Sequence, residues 1–219
     1  MPSELVYGYP YGATNRNPFN YVKVEQLSRD VVTPWLTLEE ITQQVNLFDD
    51  ESQDTYLSSL ELAVRQAIED YLGMSIFPVK YRVYYGTECM LAAPACLDLP
   101  EVSQNQYPSQ SGVTINKVAY YGSSGLTVVD SNQYQYDPSG NKIIVQSFPT
   151  DIDTSITAPI IVEYTTAANP LQTYPVIKQA GLLLFTHLYN NRSNTVDSPL
   201  REIPFGFSTL LKPYKPLVM

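Results

Sequence analysis

The chain of 219 residues holds one histidine and two cysteines. Cys89 and Cys96 match no zinc or C-x-x-C redox spacing, and two cysteines are too few for a disulfide framework. They read as two thiols in a reducing cytoplasm, or as a single bridge closing a short loop. His187 lies on an apolar stretch, where a lone histidine reads as a core or interface residue rather than a base or ligand. A first-row metal site lacks the ligands to form. No G-x-S-x-G, P-loop or G-x-G-x-x-G motif is present. The neighbouring carboxylates Glu39/Glu40 and Glu69/Asp70 diverge around a helix axis and converge on no substrate. The residues therefore support neither a catalytic site nor a cofactor, and the chain reads as a non-enzyme.

Basic residues are also scarce. Asp and Glu number 22 against 13 Lys and Arg, a formal net charge of −9. Such a chain does not grip phosphates over a broad face, and no Lys/Arg cluster restores that capacity locally. DNA could pass an acidic wall of this kind without sticking to it. Long apolar runs are missing as well. The longest, Ala180 to Phe185, is far too short to cross a bilayer, so no membrane role is expected. The N-terminus lacks the basic and apolar regions of a signal peptide.

Tyrosine is plentiful: 18 Tyr against 7 Phe and 1 Trp. Tyr offers large contact area at low side-chain entropy cost, which suits protein–protein contact, although strands favour it in any case. Residues 1–34 carry turn signals but no helical period, and read as an extended N-terminal arm or as disorder. Structure is expected from Trp35 onward. Thr37 and Glu40 form a capping box ahead of a short helix carrying Leu38, Ile41 and Val45 and ending near Asn46. The acidic run Asp49 to Asp54 lacks the glycine and terminal glutamate of a calcium loop, and reads as charge placed at a helix start. Leu57, Leu60, Val64, Ala67, Ile68 and Tyr71 then recur at helical spacing, with Glu61 and Arg65 four apart and Gly73 as the left-handed cap.

From about Val79 to Thr166 the pattern is β. VKYRVYY alternates, INKVAYYGSSGLTVV predicts one hairpin, and QYQYDPSGNKIIVQ predicts another around residues 137–141. Residues 87–111 read mostly as loop. Helix returns with Pro175 at its first position. Val176, Ile177, Ala180, Leu183, Leu184 and Leu188 make one face, and Gly181, Leu182 and Phe185 make most of the rest apolar. A helix apolar nearly all round is expected to be buried on all sides. A last helix is expected from Phe205 to Leu211, before a stiff KPYKP tail.

The fold class these elements imply is α+β. A small helical bundle is split in sequence by an inserted antiparallel β domain, with extended N- and C-terminal arms. The expected boundaries are 1–34 for the arm, 35–78 and 169–214 for the two bundle halves, 79–168 for the β domain and 215–219 for the tail.

The order of these segments is itself informative. Residues 35–73 open with WLTLEE and end in Glu69-Asp70-Tyr71-Leu72-Gly73. A polar β module follows, then PVIKQAGLLLFTHLYNNR (175–192), then IPFGFSTLLKPY (203–214). This arrangement resembles the head–tail connector, or adaptor, family of tailed bacteriophages over about residues 35–214. The Tyr-rich arm falls outside the family pattern, and the stretch 87–111 is longer than usual. The resemblance implies a virion structural protein in the head–tail neck, assembled in the host cytoplasm. It implies a homo-oligomeric ring, typically of twelve copies, docked beneath the portal protein and joined below to a neck or tail protein. DNA would leave through the channel without specific binding, and no cofactor is involved.

A ring subunit needs two unlike faces that meet head to tail. Leu182 and Phe185 on the apolar helix, with Phe205, Phe207, Leu210, Leu211 and Tyr214 after it, are the candidate contacts with a neighbour or the portal. Folding of that last segment onto its own bundle is the other reading. Two further functions stay open. One is a different virion part, such as a tail-completion or capsid-decoration protein. The other is a ligand-binding β module, for example for carbohydrate, with Tyr84, Tyr120 and Tyr134 lined up on one β face.

Overall fold

The computed structural model of the chain describes residues 20–47, 51–90, 94–101, 112–148, 150–168, 174–192 and 206–215. The chain is α+β. Strand β1 (Tyr21–Arg29) comes first, followed by helices α1 (Leu38–Val45) and α2 (Asp54–Leu72). Strands β2 (Val79–Tyr85), β3 (Ala95–Asp98), β4 (Val113–Gly122) and β5 (Gly125–Val128) come next. Strands β6 (Tyr134–Asp137), β7 (Lys142–Val145) and β8 (Ile160–Thr166) complete the sheets, and α3 (Pro175–Asn190) and α4 (Phe207–Leu211) close the sequence.

Five strands form one sheet in the order β1-β2-β8-β4-β5, and three form another in the order β3-β7-β6. The chain divides into two compact units. One comprises residues 26–80, 101–114 and 165–219; the other comprises 1–25, 81–100 and 115–164.

In the first unit the four helices surround one apolar core. Trp35, Leu36, Ile41, Leu57, Val64, Ile68, Leu72, Ile177, Phe185 and Leu211 are buried in it together. Local chemistry sets the helix ends as the sequence requires. Glu40 N–H donates to the Thr37 hydroxyl at 3.2 Å, and Thr37 N–H donates to the Glu40 carboxylate at 2.9 Å. Asn46 and Gly73 end α1 and α2 in the left-handed region, at φ 58° and 68°. Pro175 occupies the start of α3, where its missing N–H costs nothing.

In the second unit, β2 alternates as expected, burying Tyr81, Val83 and Tyr85. The β4–β5 hairpin pairs Gly122 with Gly125 across a two-residue turn, and Gly125 takes φ 109°. Gly122 is closely approached by a neighbouring segment. Residues 151–153 lie along this turn, and a Cβ at 122 would meet the Asp151 carboxylate at 2.9 Å. The β6–β7 hairpin pairs Asp137 with Lys142. In its turn Asp137 accepts hydrogen bonds from the Ser139 N–H (2.9 Å) and hydroxyl (2.6 Å).

Four elements differ from the sequence reading. Among the described residues, regular structure is present from Tyr21, ahead of the expected Trp35, because part of the expected arm adds to the sheet edge as β1. The stretch expected to be mostly loop, 87–111, contains a 3-10 turn at Thr87–Met90 and strand β3, which pairs with β7. Helix α3 is not covered all round. Ile177, Ala180, Gly181, Leu184 and Phe185 are buried, whereas Val176 is exposed and Leu182 is half-buried. The last helix starts at Phe207. Residues 1–19, the acidic residues Asp49 and Asp50, and Phe205 lie outside the described residues.

Candidate interaction surfaces

Among the described residues, no group of three or more His, Cys, Asp or Glu side chains is placed to hold a metal ion. None of the described helices is long and apolar enough to cross a membrane. Cys89 and Cys96 are both free thiols, so the single-bridge reading does not hold. His187 is exposed near the end of α3, not in the core, and its backbone carbonyl accepts from Asn191.

The helical unit brings most of the proposed contact residues together around α3 and α4. Phe185 and Leu211 are fully buried there. Leu182, Phe207, Leu210 and Tyr214 pack against the same core from its rim and stay half-buried. Helix α4 is held down by aromatic contacts. Tyr71 meets Phe207 edge-on at 6.0 Å, and its hydroxyl donates to the Ser208 carbonyl at 3.1 Å. Tyr174 and Tyr214 lie 5.7 Å apart. The segment thus folds onto its own bundle and leaves part of Leu182, Phe207, Leu210 and Tyr214 at the surface.

The C-terminal end of α3 is tied to the start of α2. Arg192 lies over the rings of Tyr56 and Tyr189, at 4.6 and 4.9 Å. Arg192 and the Tyr189 hydroxyl both donate to Gln53 Oε1, at 3.0 and 3.1 Å. This gives a packing role to Tyr189 and Arg192.

A polar spine on α2 holds the connection that precedes α1. Glu61, Arg65 and Glu69, spaced four apart, are all buried. Glu61 accepts from the N–H groups of Trp35 (2.8 Å) and Leu36 (3.0 Å). Arg65 donates to the carbonyls of Asp30 and Thr33 and lies over the Phe77 ring at 4.9 Å. Glu69 accepts from Ile76 N–H at 2.8 Å and pairs with Arg29. Asp30 completes the turn by accepting from Val32 and Thr33 N–H, at 2.9 and 2.8 Å. Hydrogen bonds from Thr33 and Val32 hold its carboxyl down at about 2. The result is a braced loop that carries Val31 and Val32 outward, with Val32 81% exposed.

Sequence spacing missed this spine. Glu61 and Arg65 read as an i,i+4 pair, but each serves backbone groups that no local pattern reveals. Glu69 and Asp70 do converge, on Arg29, whose guanidinium reaches both carboxylates.

In the β unit, the face of the sheet that carries Arg82 is polar. Arg82 binds Glu163 at 2.7 Å, and Glu25 accepts from the Tyr84 hydroxyl at 2.8 Å. The aromatic row expected for a ligand-binding face is not formed. Tyr84 belongs to the five-stranded sheet, Tyr134 to the three-stranded one, and Tyr120 is only 5% exposed.

No family profile and no curated protein matches the sequence. Solved structures of similar fold exist. A chain in the neck of an empty gene transfer agent (GTA) particle, computed with C6 symmetry, superposes with TM-score 0.62 at 16% identity. A chain of the native GTA virion gives 0.58 at 15%, and one in the native GTA neck, computed with C12 symmetry, gives 0.53 at 17%. Each comparison covers 90% of this chain and 97% of the other. At these identities the likeness is one of fold, and it extends over nearly the full length of the neck and virion chains.

Proposed function

We infer that this chain is a structural adaptor of a virion neck, a non-catalytic subunit of a ring between the portal and the tail. The observation that carries the reading is the fold shared over 90% of the chain with components of GTA necks. The C6 and C12 symmetries of those necks support a cyclic assembly of copies of this chain, twelve in the reading favoured here. The same fold in a whole GTA virion supports a virion location. Assembly in the host cytoplasm is part of the proposed reading.

In this reading the half-buried rim of Leu182, Phe207, Leu210 and Tyr214 meets the portal or a neighbouring copy. Phe185 and Leu211 shape that rim from inside. Half-exposed aromatic and leucine side chains on a rigid support are the residue types that dominate protein interfaces. The downstream partner is a neck or tail protein. The formal charge of −9 suits a channel wall that DNA slides past, since counterion-releasing basic contacts are few.

A deletion of the gene in its virus tests the role. The expected product is DNA-filled heads without tails. Normal tailed particles from the deletion would reject the adaptor role, and intact tails on heads lacking only a surface protein would point to a capsid-decoration protein instead. Reconstruction of the portal vertex then counts the copies beneath the portal.

A further inference from the structure

Strands β1 and β5 are the two outer strands of the five-stranded sheet. Strand β5, GLTV, carries no charge, and Leu126 and Val128 are 45% and 60% exposed. Two residues apart, they stand on the same face of the strand. The hairpin register shows which backbone groups are open. Gly125 faces Gly122, and Val129 N–H donates to the Val118 carbonyl at 2.8 Å. The N–H groups of 125, 127 and 129 therefore point at β4. By alternation, the N–H and C=O groups of Leu126 and Val128 point out of the sheet. Among the described residues no strand lies beyond them. Soluble proteins usually blunt such an edge with lysine, proline or a bulge, because an uncharged open edge invites another strand. Here the edge is left bare and apolar.

We propose that β5 of one copy pairs with β1 of the next, joining neighbouring sheets edge to edge around the ring. This rests on the ring reading above. Two observations select a second copy as the occupant. A head-to-tail contact that closes into a cycle needs two unlike faces on each chain. Strands β5 and β1 are the unlike outer strands of one sheet among the described residues, present once each in every copy. The shared fold also occurs in necks of C6 and C12 symmetry, both cyclic arrangements. Strand β1 has nine residues to offer the four of β5, so the register is set where apolar side chains meet. Val22 and Leu27, at 36% and 39% exposed, are exposed apolar positions of β1; five residues apart, they stand on opposite faces, so in a given register Leu126 and Val128 cover one of them. Main-chain hydrogen bonds would supply much of the contact energy, as in other strand additions.

Cross-linking of the full chain tests the pairing. In a Cys96→Ser background, Lys23→Cys or Leu27→Cys is combined with Val128→Cys and treated with a flexible bismaleimide over a concentration series. The double variants are expected to give a ladder of two, three, four and more linked copies. Each single variant should stop at dimers. A second variant, Val128→Pro, removes an N–H that points away from β4 and so spares the hairpin ladder. It should melt within a few degrees of the parent yet assemble at least ten-fold less well. If light scattering shows rings but the double variants give no ladder, or if Val128→Pro melts normally and assembles normally, the strand pairing is wrong and the ring reading stands. A chain that stays monomeric at every concentration, with and without portal protein, overturns both.

Discussion

Gly181 of α3 lies directly against the indole of Trp35. A Cβ added at Gly181 would sit 2.7 Å from Cζ3 and 2.9 Å from Cη2 of that ring. Trp35 is buried in the helical core and cannot swing aside without displacing its neighbours. Gly181→Ala gains about 1 kcal/mol of helix propensity but overpacks the core, which typically costs about 1–3 kcal/mol. The clash should win, leaving the variant about 1 kcal/mol less stable by urea unfolding. Trp35 is the chain's single tryptophan, so its fluorescence reports the site directly. An unchanged emission maximum together with raised stability would show that the ring has room to yield.

Glu61 links pH to the same core. Burial pushes its carboxyl above the usual 4.5, while the Leu36 and Trp35 N–H groups and the Arg65 charge pull it back in part. The folded chain thus holds this proton more tightly than the unfolded chain does. Its contribution to stability is complete below pH 4.5 and is lost as pH rises through the raised value. Glu61→Gln keeps an acceptor for both amides and cannot ionise. Between pH 4.5 and 7 the unfolding free energy of the variant should therefore fall less steeply than that of the parent. Glu61→Ala should be much worse at every pH, because two buried N–H groups lose their partner at about 1–3 kcal/mol each. Parallel pH slopes for parent and Glu61→Gln would refute the assignment.

Much of this architecture is local and so legible in sequence. The Thr37–Glu40 box, the Gly73 cap, the Pro175 start and both hairpin turns are decided by residues within a few positions of one another. The parts that escaped depend on distant partners. Strand β1 pairs with β2, more than fifty residues later, and its own composition contains no turn-bounded alternation to announce it. Strand β3 sits among prolines and is a strand because β7 offers it a ladder. Arg65 carries no local sign of its role. A charged side chain four residues from a glutamate looks like surface, and only the folded chain shows the carbonyls of Asp30 and Thr33 waiting for it. The candidate contact residues were identified by type, but their division into core (Phe185, Leu211) and rim (Leu182, Phe207, Leu210, Tyr214) required the packing.

The two thiols should differ sharply in reactivity. Cys89 is buried and donates to the Asn20 carbonyl at 3.3 Å. Burial, reinforced by the charges of Glu88 and Asp98, pushes its thiol up to about 12. Cys96 is partly exposed. A disulfide reagent at pH 8 should therefore label one thiol promptly in the native chain and the second only on unfolding, since the thiolate is the reactive species. Cys96→Ser should abolish the prompt phase. Two prompt equivalents in the native parent would show that the 86–90 turn opens readily.

Arg192 offers a quantitative test of how the end of α3 is anchored. Its guanidinium stacks over Tyr56 and Tyr189 and shares Gln53 Oε1 with the Tyr189 hydroxyl. An exposed cation–aromatic contact is worth about 0.5–1 kcal/mol, and Arg stacks on a ring face better than Lys. Arg192→Ala should cost about 1 kcal/mol, and Arg192→Lys should recover less than half of it, because the ammonium keeps the charge but loses the flat face. A double-mutant cycle with Tyr56→Ala should give a coupling energy of about 0.5 kcal/mol or more. Tyr56 belongs to α2 and Arg192 follows α3, so that coupling measures how firmly two helices distant in sequence are clamped at this end. Additive single effects would mean that the stacking of Arg192 on Tyr56 contributes nothing to stability.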